Sequence, residues 1–101
     1  MIYKVQYLPI AKDDLDEIIL YISDVLNSPK AALNLLDDIE KNIKTLIKFP
    51  FAFPVYDKLS DLQNEYRMIP IKNYAVFYIV ENDIVEIQRI VYAKMDISKL
   101  L

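Results

Sequence analysis

The chain has 101 residues, 54% of them hydrophobic, and contains no cysteine, histidine or glycine. That length fits a single domain with a real core. Without cysteine or histidine, disulfides, thiolate metal sites and imidazole acid–base chemistry are all excluded. The net charge of −3 is spread along the chain, −2 over residues 1–50 (6 Lys against 8 acids) and −1 over residues 51–101 (6 basic against 7 acidic), so neither half offers the basic stripe of a phosphate-backbone binder.

Residues 2–8 alternate loosely, with Ile2, Lys4 and Gln6 on one face and Tyr3, Val5 and Tyr7 on the other, which predicts a half-buried strand. Pro9 suits the first turn of a helix, where a missing N–H costs nothing. Ala11, Leu15, Ile18, Ile19, Ile22 and Leu26 continue as an amphipathic stripe. Asp13, Asp14, Asp16 and Glu17 read as a solvated face near the positive end of the helix dipole. Asn27-Ser28-Pro29 ends this helix and opens a second, with Ser28 as N-cap and Pro29 at the first helical position. The stripe Ala32, Leu35, Leu36, Ile39, Ile43, Leu46 and Ile47 then runs until Pro50 stops it. The short link predicts an antiparallel helical hairpin.

Residues 49–56, Phe-Pro-Phe-Ala-Phe-Pro-Val-Tyr, are too interrupted by proline for a helix and too aromatic for a solvated loop, so they are expected to pack on the core. Three strands follow at 65–71, 74–81 and 84–92, joined by the two-residue links Lys72-Asn73 and Asn82-Asp83 as a meander. Pro70 assigns the first of the three to an edge. The apolar run 74–80 belongs at the sheet centre. With no glycine, turns needing positive φ are expected at Asn27, Asn64, Asn73 and Asn82. Residues 95–101 add a short helix or lie along the sheet. The order β-α-α-β-β-β describes an α+β fold, a helical hairpin on one face of a small, largely antiparallel sheet.

The N-terminus lacks the features of a signal peptide. The longest apolar run, 74–80, falls far short of the ~20 residues a spanning helix requires. A soluble, cytoplasmic protein is expected, with no membrane partner, and no residue constellation asks for a metal or other cofactor.

Residues 66–78, Tyr-Arg-Met-Ile-Pro-Ile-Lys-Asn-Tyr-Ala-Val-Phe-Tyr, and 85–96, Val-Glu-Ile-Gln-Arg-Ile-Val-Tyr-Ala-Lys-Met-Asp, together with the element order, resemble the RelE/ParE superfamily of bacterial type II toxins. The motif Ala11-Lys12-Asp13-Asp14-Leu15 and the helix end at 46–50 sit where recurrent residues of that superfamily sit. The resemblance implies a toxin neutralised by an acidic antitoxin that wraps it, with a homodimer as one state of the chain alone. It also implies one of two targets. RelE-like members cut messenger RNA on the ribosome, and ParE-like members inhibit DNA gyrase.

Cleavage through a 2′-hydroxyl needs a base, an acid and positive charge on the phosphate. Where RelE-like nucleases carry an arginine after the tyrosine matching Tyr74, this chain has Ala75. It has Ile69 in place of a second lysine, and Leu100 and Leu101 in place of a C-terminal tyrosine. Arg67 and Lys94, with Tyr92 as an additional candidate, are the remaining catalytic groups of a ribonuclease. The ending from Arg89 to Asp96 is closer to the ParE-like pattern, with Tyr92 standing where many of those proteins have histidine, so enzymatic activity stays open. Arg89 reads as a structural ion pair by its strand parity with Val85, Ile87 and Val91, and otherwise as a contact residue beside Lys72. Tyr74 and Tyr78 read as core aromatics. Phe51, Phe53 and Tyr56 are candidate antitoxin contacts, or cover for the core. A third reading is a degenerate toxin kept as an antitoxin-binding module.

Overall fold

The computed structural model describes residues 2–57 and 64–101. In chain order these form β1 (Lys4–Tyr7), α1 (Pro9–Leu20), a π-helical turn (Tyr21–Val25), α2 (Pro29–Thr45), β2 (Arg67–Ile71), β3 (Tyr74–Glu81), β4 (Ile84–Tyr92) and a 3-10 turn (Ile97–Lys99). The expected order is present, and β3 and β4 have the bounds read from the sequence.

Both helices begin with proline at the first position, where its fixed φ suits the helix and its missing N–H is not needed. Neither N-cap side chain makes a capping bond. Ser28 stands at the cap position of α2, but its hydroxyl instead donates back to the Leu26 carbonyl at 3.2 Å, across the bend made by left-handed Asn27 (φ 53°). The acids of α1 lie beyond its first turn. After Leu20 the helix widens, and the Leu26 amide donates to the Tyr21 carbonyl five residues back at 3.0 Å. The extra residue in that turn rotates the chain, so Leu26, expected on the apolar stripe, is 53% exposed.

The sheet order is β1-β4-β3-β2. The meander β2-β3-β4 is antiparallel, whereas β1 lies parallel to β4, with Lys4 opposite Ile84 and Tyr7 opposite Ile87. The sheet is therefore mixed, and its one parallel pair is joined by a long crossover that contains both helices and the β2-β3 hairpin, as parallel pairing requires. β2 is an edge strand, as Pro70 demands, and Pro70 is exposed. Only the first residue of each hairpin link has positive φ, Lys72 (54°) and Asn82 (57°). The left-handed position expected at Asn73 thus falls one residue earlier. The turn expected at Asn64 abuts residues 58–63, which lie outside the described residues.

Two apolar layers flank the sheet. Ala32, Leu35, Ile39, Ile43 and Leu46 of the α2 stripe, with Ala11 and Ile22, pack on Ile69, Ile71, Val76, Tyr78, Val85, Ile87 and Ile90. The opposite face buries Tyr66, Ala75, Phe77, Ile79 and Val91 under Ile97, with Tyr56, Met68, Leu100 and Leu101 around them. β3 is thus covered on both sides, which is why its sequence is a continuous apolar run and does not alternate.

Phe77 pairs with Arg89, but Tyr78 pairs with Ile87, leaving Gln88 as an unpaired extra residue on β4. This bulge reverses the parity of the strand. Ile87 and Ile90 both face the helices, while Val91 faces the other layer. The shared parity read for Arg89 with Val85 and Ile87 does not hold, since counting by twos fails across an inserted residue.

Candidate functional site

The aromatic segment after α2 is tied down from β2 and β3. Arg67 Nη1 donates to the Phe53 carbonyl at 2.6 Å, and its guanidinium lies 5.0 Å from the Phe51 ring centre. The fully buried Tyr78 donates its hydroxyl to the Pro50 carbonyl at 2.8 Å, and burial pushes its pKa up. Val55 bridges to Arg67, and the Tyr56 amide donates to the Tyr66 carbonyl at 2.7 Å. Arg67 is thereby engaged in holding a loop. Of the three aromatics expected as contacts, Phe53 packs on the helix-side core and Tyr56 stacks edge-on against Phe77 with centroids 5.3 Å apart. Only Phe51 keeps an exposed ring, next to Phe49, which sequence reasoning did not single out.

Arg89 and Asp14 form the innermost ion pair described. Arg89 Nε and Nη2 donate to the two oxygens of Asp14 at 2.7 and 2.9 Å, with 14% and 12% of the two side chains exposed. This fork-to-carboxylate geometry holds the Arg89 pKa above its ordinary value. Arg89 Nη1 also approaches the Leu100 carbonyl at 3.4 Å. The Asp14 carboxylate accepts the Ile90 amide as well, at 3.0 Å. β1 pairs with β4 only as far as Ile87, so Asp14 occupies the place a longer β1 would take. The solvated face read for Asp13 to Glu17 is therefore corrected at Asp14. Its signal was in the sequence, because Asp14 lies three residues after Ala11 and four before Ile18, on the buried stripe of α1.

A groove of about 310 Å³ opens along this edge between α1 and the C-terminal segment. Asp14, Glu17 and Ile18 of α1, and Tyr21 at the start of the π-turn, form one wall at i, i+3, i+4 and i+7. Tyr74 and Tyr92, cross-strand partners in edge-to-face contact at 5.9 Å, form the floor with Met95. Burial raises the Tyr74 pKa, and the nearby Tyr21 and Tyr92 hydroxyls raise it further. Tyr21 and Met95, each 50% exposed, were not anticipated as site residues.

The remaining candidates lie apart. Lys72 makes an exposed bridge to Asp38 at 3.3 Å. Lys94 is exposed in the turn after β4 and lines a separate cleft with Tyr56, Asp96 and Ser98. Arg67 pairs opposite Tyr78 and Tyr92 opposite Tyr74, positions four residues apart on β3 and therefore about 13 Å distant. The structure does not bring Arg67, Tyr92 and Lys94 into one site. Among the described residues no group of three acidic side chains could hold a metal ion, and no helix is long and apolar enough to cross a membrane.

The fold and its chain order are matched elsewhere. A solved structure of the chromosomal ParDE toxin–antitoxin system from P. aeruginosa superposes with a TM-score of 0.75 at 21% identity, covering 92% of this chain and 98% of that one. A conserved hypothetical protein from Helicobacter pylori aligns over 91% of this chain and 94% of its own at 17% identity, but its TM-score of 0.45 is too low to bear on the fold. No curated protein matches the chain in a sequence comparison. The family model for the ParE toxin of the type II toxin–antitoxin system parDE matches residues 5–97. From that match across nearly the whole sequence, and from a two-helix layer on a four-stranded mixed sheet, the chain belongs to the ParE toxin family of type II toxin–antitoxin systems.

Proposed function

We propose that this toxin arrests growth by binding a macromolecular target, with DNA gyrase the first candidate, and that a cognate antitoxin neutralises it. The observation that carries the reading is the dispersal of the nuclease candidates. A ribonuclease must set a base, an acid and a cation around one phosphate, each within hydrogen-bond reach of roughly 3 Å. Arg67 instead clasps the Phe53 carbonyl and the Phe51 ring, while Lys94 and Tyr92 stand beside different grooves. Ala75, where a phosphate-binding arginine would stand in RelE-like nucleases, is buried under the second apolar layer. The acidic balance of the chain gives no compensating attraction for RNA.

The test is to titrate purified toxin into a gyrase supercoiling reaction and, in parallel, to follow transcripts after induced expression of the wild type and of Lys94→Ala. Stoichiometric loss of supercoiling, intact transcripts and equal arrest by Lys94→Ala are expected. Cleaved transcripts that Lys94→Ala abolishes would replace this reading with a messenger ribonuclease. Harmless expression with tight antitoxin binding would leave a degenerate binding module.

A further inference from the structure

We propose that the groove between α1 and β4 is an aromatic receptor for one basic side chain, an arginine or lysine of an antitoxin segment, gripped by Tyr21, Tyr74 and Tyr92 and neutralised by Glu17. The identity of the partner rests on the toxin–antitoxin reading above; the chemistry of the receptor rests on the groove itself.

Three observations fix that chemistry. The first is the convergence of three tyrosines from three elements, the π-turn, the start of β3 and the end of β4, on one cavity. Tyr21 is 50% and Tyr92 42% exposed, so both side chains meet solvent at the groove. Aromatic faces attract a cation through their quadrupoles, and arginine most readily because its planar group also stacks.

The second is charge. Only Asp14, Glu17 and Arg89 bring formal charge to the groove wall. Asp14 and Arg89 cancel in their two-point pair, while Glu17 has no ion-pair partner among the described residues. The groove is therefore left with one uncompensated negative charge, at its rim. An acidic or neutral polar side chain entering here would gain nothing from Glu17, and an acidic one would be repelled.

The third is that the edge of β4 beside the groove is blocked at Ile90. The Ile90 amide is held by Asp14, so a partner cannot simply extend the sheet at this point. A side chain inserted into the groove, with apolar neighbours lying over Ile18 and Met95, is the mode that remains open there. An antitoxin that is acidic as a whole would still need this one basic anchor.

The probe is the protein encoded beside this chain, and its affinity is measured by calorimetry for the wild-type toxin and for variants shown by circular dichroism to fold. Glu17→Gln and Tyr92→Leu are each expected to weaken binding roughly ten-fold, whereas Tyr92→Phe, which keeps the ring, changes it less than two-fold. Lys41→Ala, on an exposed face of α2, serves as the control and leaves affinity unchanged. Binding that is tight in the wild type and indifferent to both Glu17→Gln and Tyr92→Leu overturns the receptor while leaving the antitoxin reading intact. Equal losses for Tyr92→Leu and Tyr92→Phe would also overturn it, because the phenol hydroxyl and not the ring would then be the recognised group. Absence of binding to the wild type would overturn the toxin–antitoxin reading on which the partner rests.

Discussion

Replacing Asp14 by alanine should be the most damaging single change outside the apolar core. The substitution leaves Arg89, whose side chain is 14% exposed, without its hydrogen-bonded carboxylate and with only Glu17 at longer range, and removes the acceptor of the Ile90 amide. Breaking a buried pair from one side costs about 3–5 kcal/mol; because this pair keeps partial contact with water, about 2 kcal/mol is the appropriate share. An amide stripped of its partner adds about 1 kcal/mol where water cannot fully replace the acceptor. The sum, about 3 kcal/mol, would lower the melting temperature of a domain this size by roughly 12–24 °C. Urea denaturation of Asp14→Ala, Arg89→Ala and the double variant, followed by circular dichroism, measures the loss and isolates the coupling. A second pair, Asp14→Leu with Arg89→Met, should recover much of the stability, since the cost lies in the orphaned charge more than in the missing attraction. A loss below about 0.5 kcal/mol for Asp14→Ala would refute the argument, as that is the value of a surface pair.

Three further outcomes follow from other contacts. Tyr78→Phe removes the hydroxyl that serves the Pro50 carbonyl and should cost about 1–2 kcal/mol, read by urea denaturation, with faster proteolysis within residues 49–57. Lys72→Gly relieves a left-handed lysine (φ 54°), and the relief of about 1–2 kcal/mol exceeds the entropy glycine forfeits and the exposed Asp38 bridge, for a net gain of about 0.5 kcal/mol in the same assay. Asp96, whose pKa is lowered by hydrogen bonds from Ser98, holds the 3-10 turn in its ionised form. Its contribution is present above the ordinary aspartate range and is lost as pH falls through the depressed folded value, so the protection of the Ser98 amide, measured as its exchange rate relative to the intrinsic rate at each pH, should fall only in acid.

The features legible in the sequence were those with a local cause. Helix periodicity, proline at two helix starts and two asparagine-containing links gave the elements, and the unbroken run on β3 gave its central place. The parallel seat of β1 was not legible, since nothing near residue 4 names a partner near residue 84. The bulge at Gln88 was hidden for a related reason. A polar residue between Ile87 and Arg89 looks like ordinary alternation, and only the register against Phe77 and Tyr78 shows that it is an insertion. The ion pair of Asp14 was half visible, in a carboxylate on an apolar stripe and an arginine read as structural. The groove was half legible, since Tyr21 continues the helical face of Asp14, Glu17 and Ile18 at i+7, but its other wall, Tyr74, Tyr92 and Met95, comes from far along the chain, and spacing carries no signal for that approach.

The pairing of Lys4 with Ile84 has a temporal consequence. A ribosome adding about 5–20 residues per second needs on the order of 4–16 s to move from one to the other. Throughout that interval the first strand has no partner in the sheet, and the helices can close at most on the β2-β3 hairpin. Non-local closure of this kind is slow in its own right. The complete sheet, and any activity that depends on it, must then arrive late, after β4 has been made, and a nascent chain halted before Ile84 would lack the strand that joins β1 to the β2-β3 hairpin.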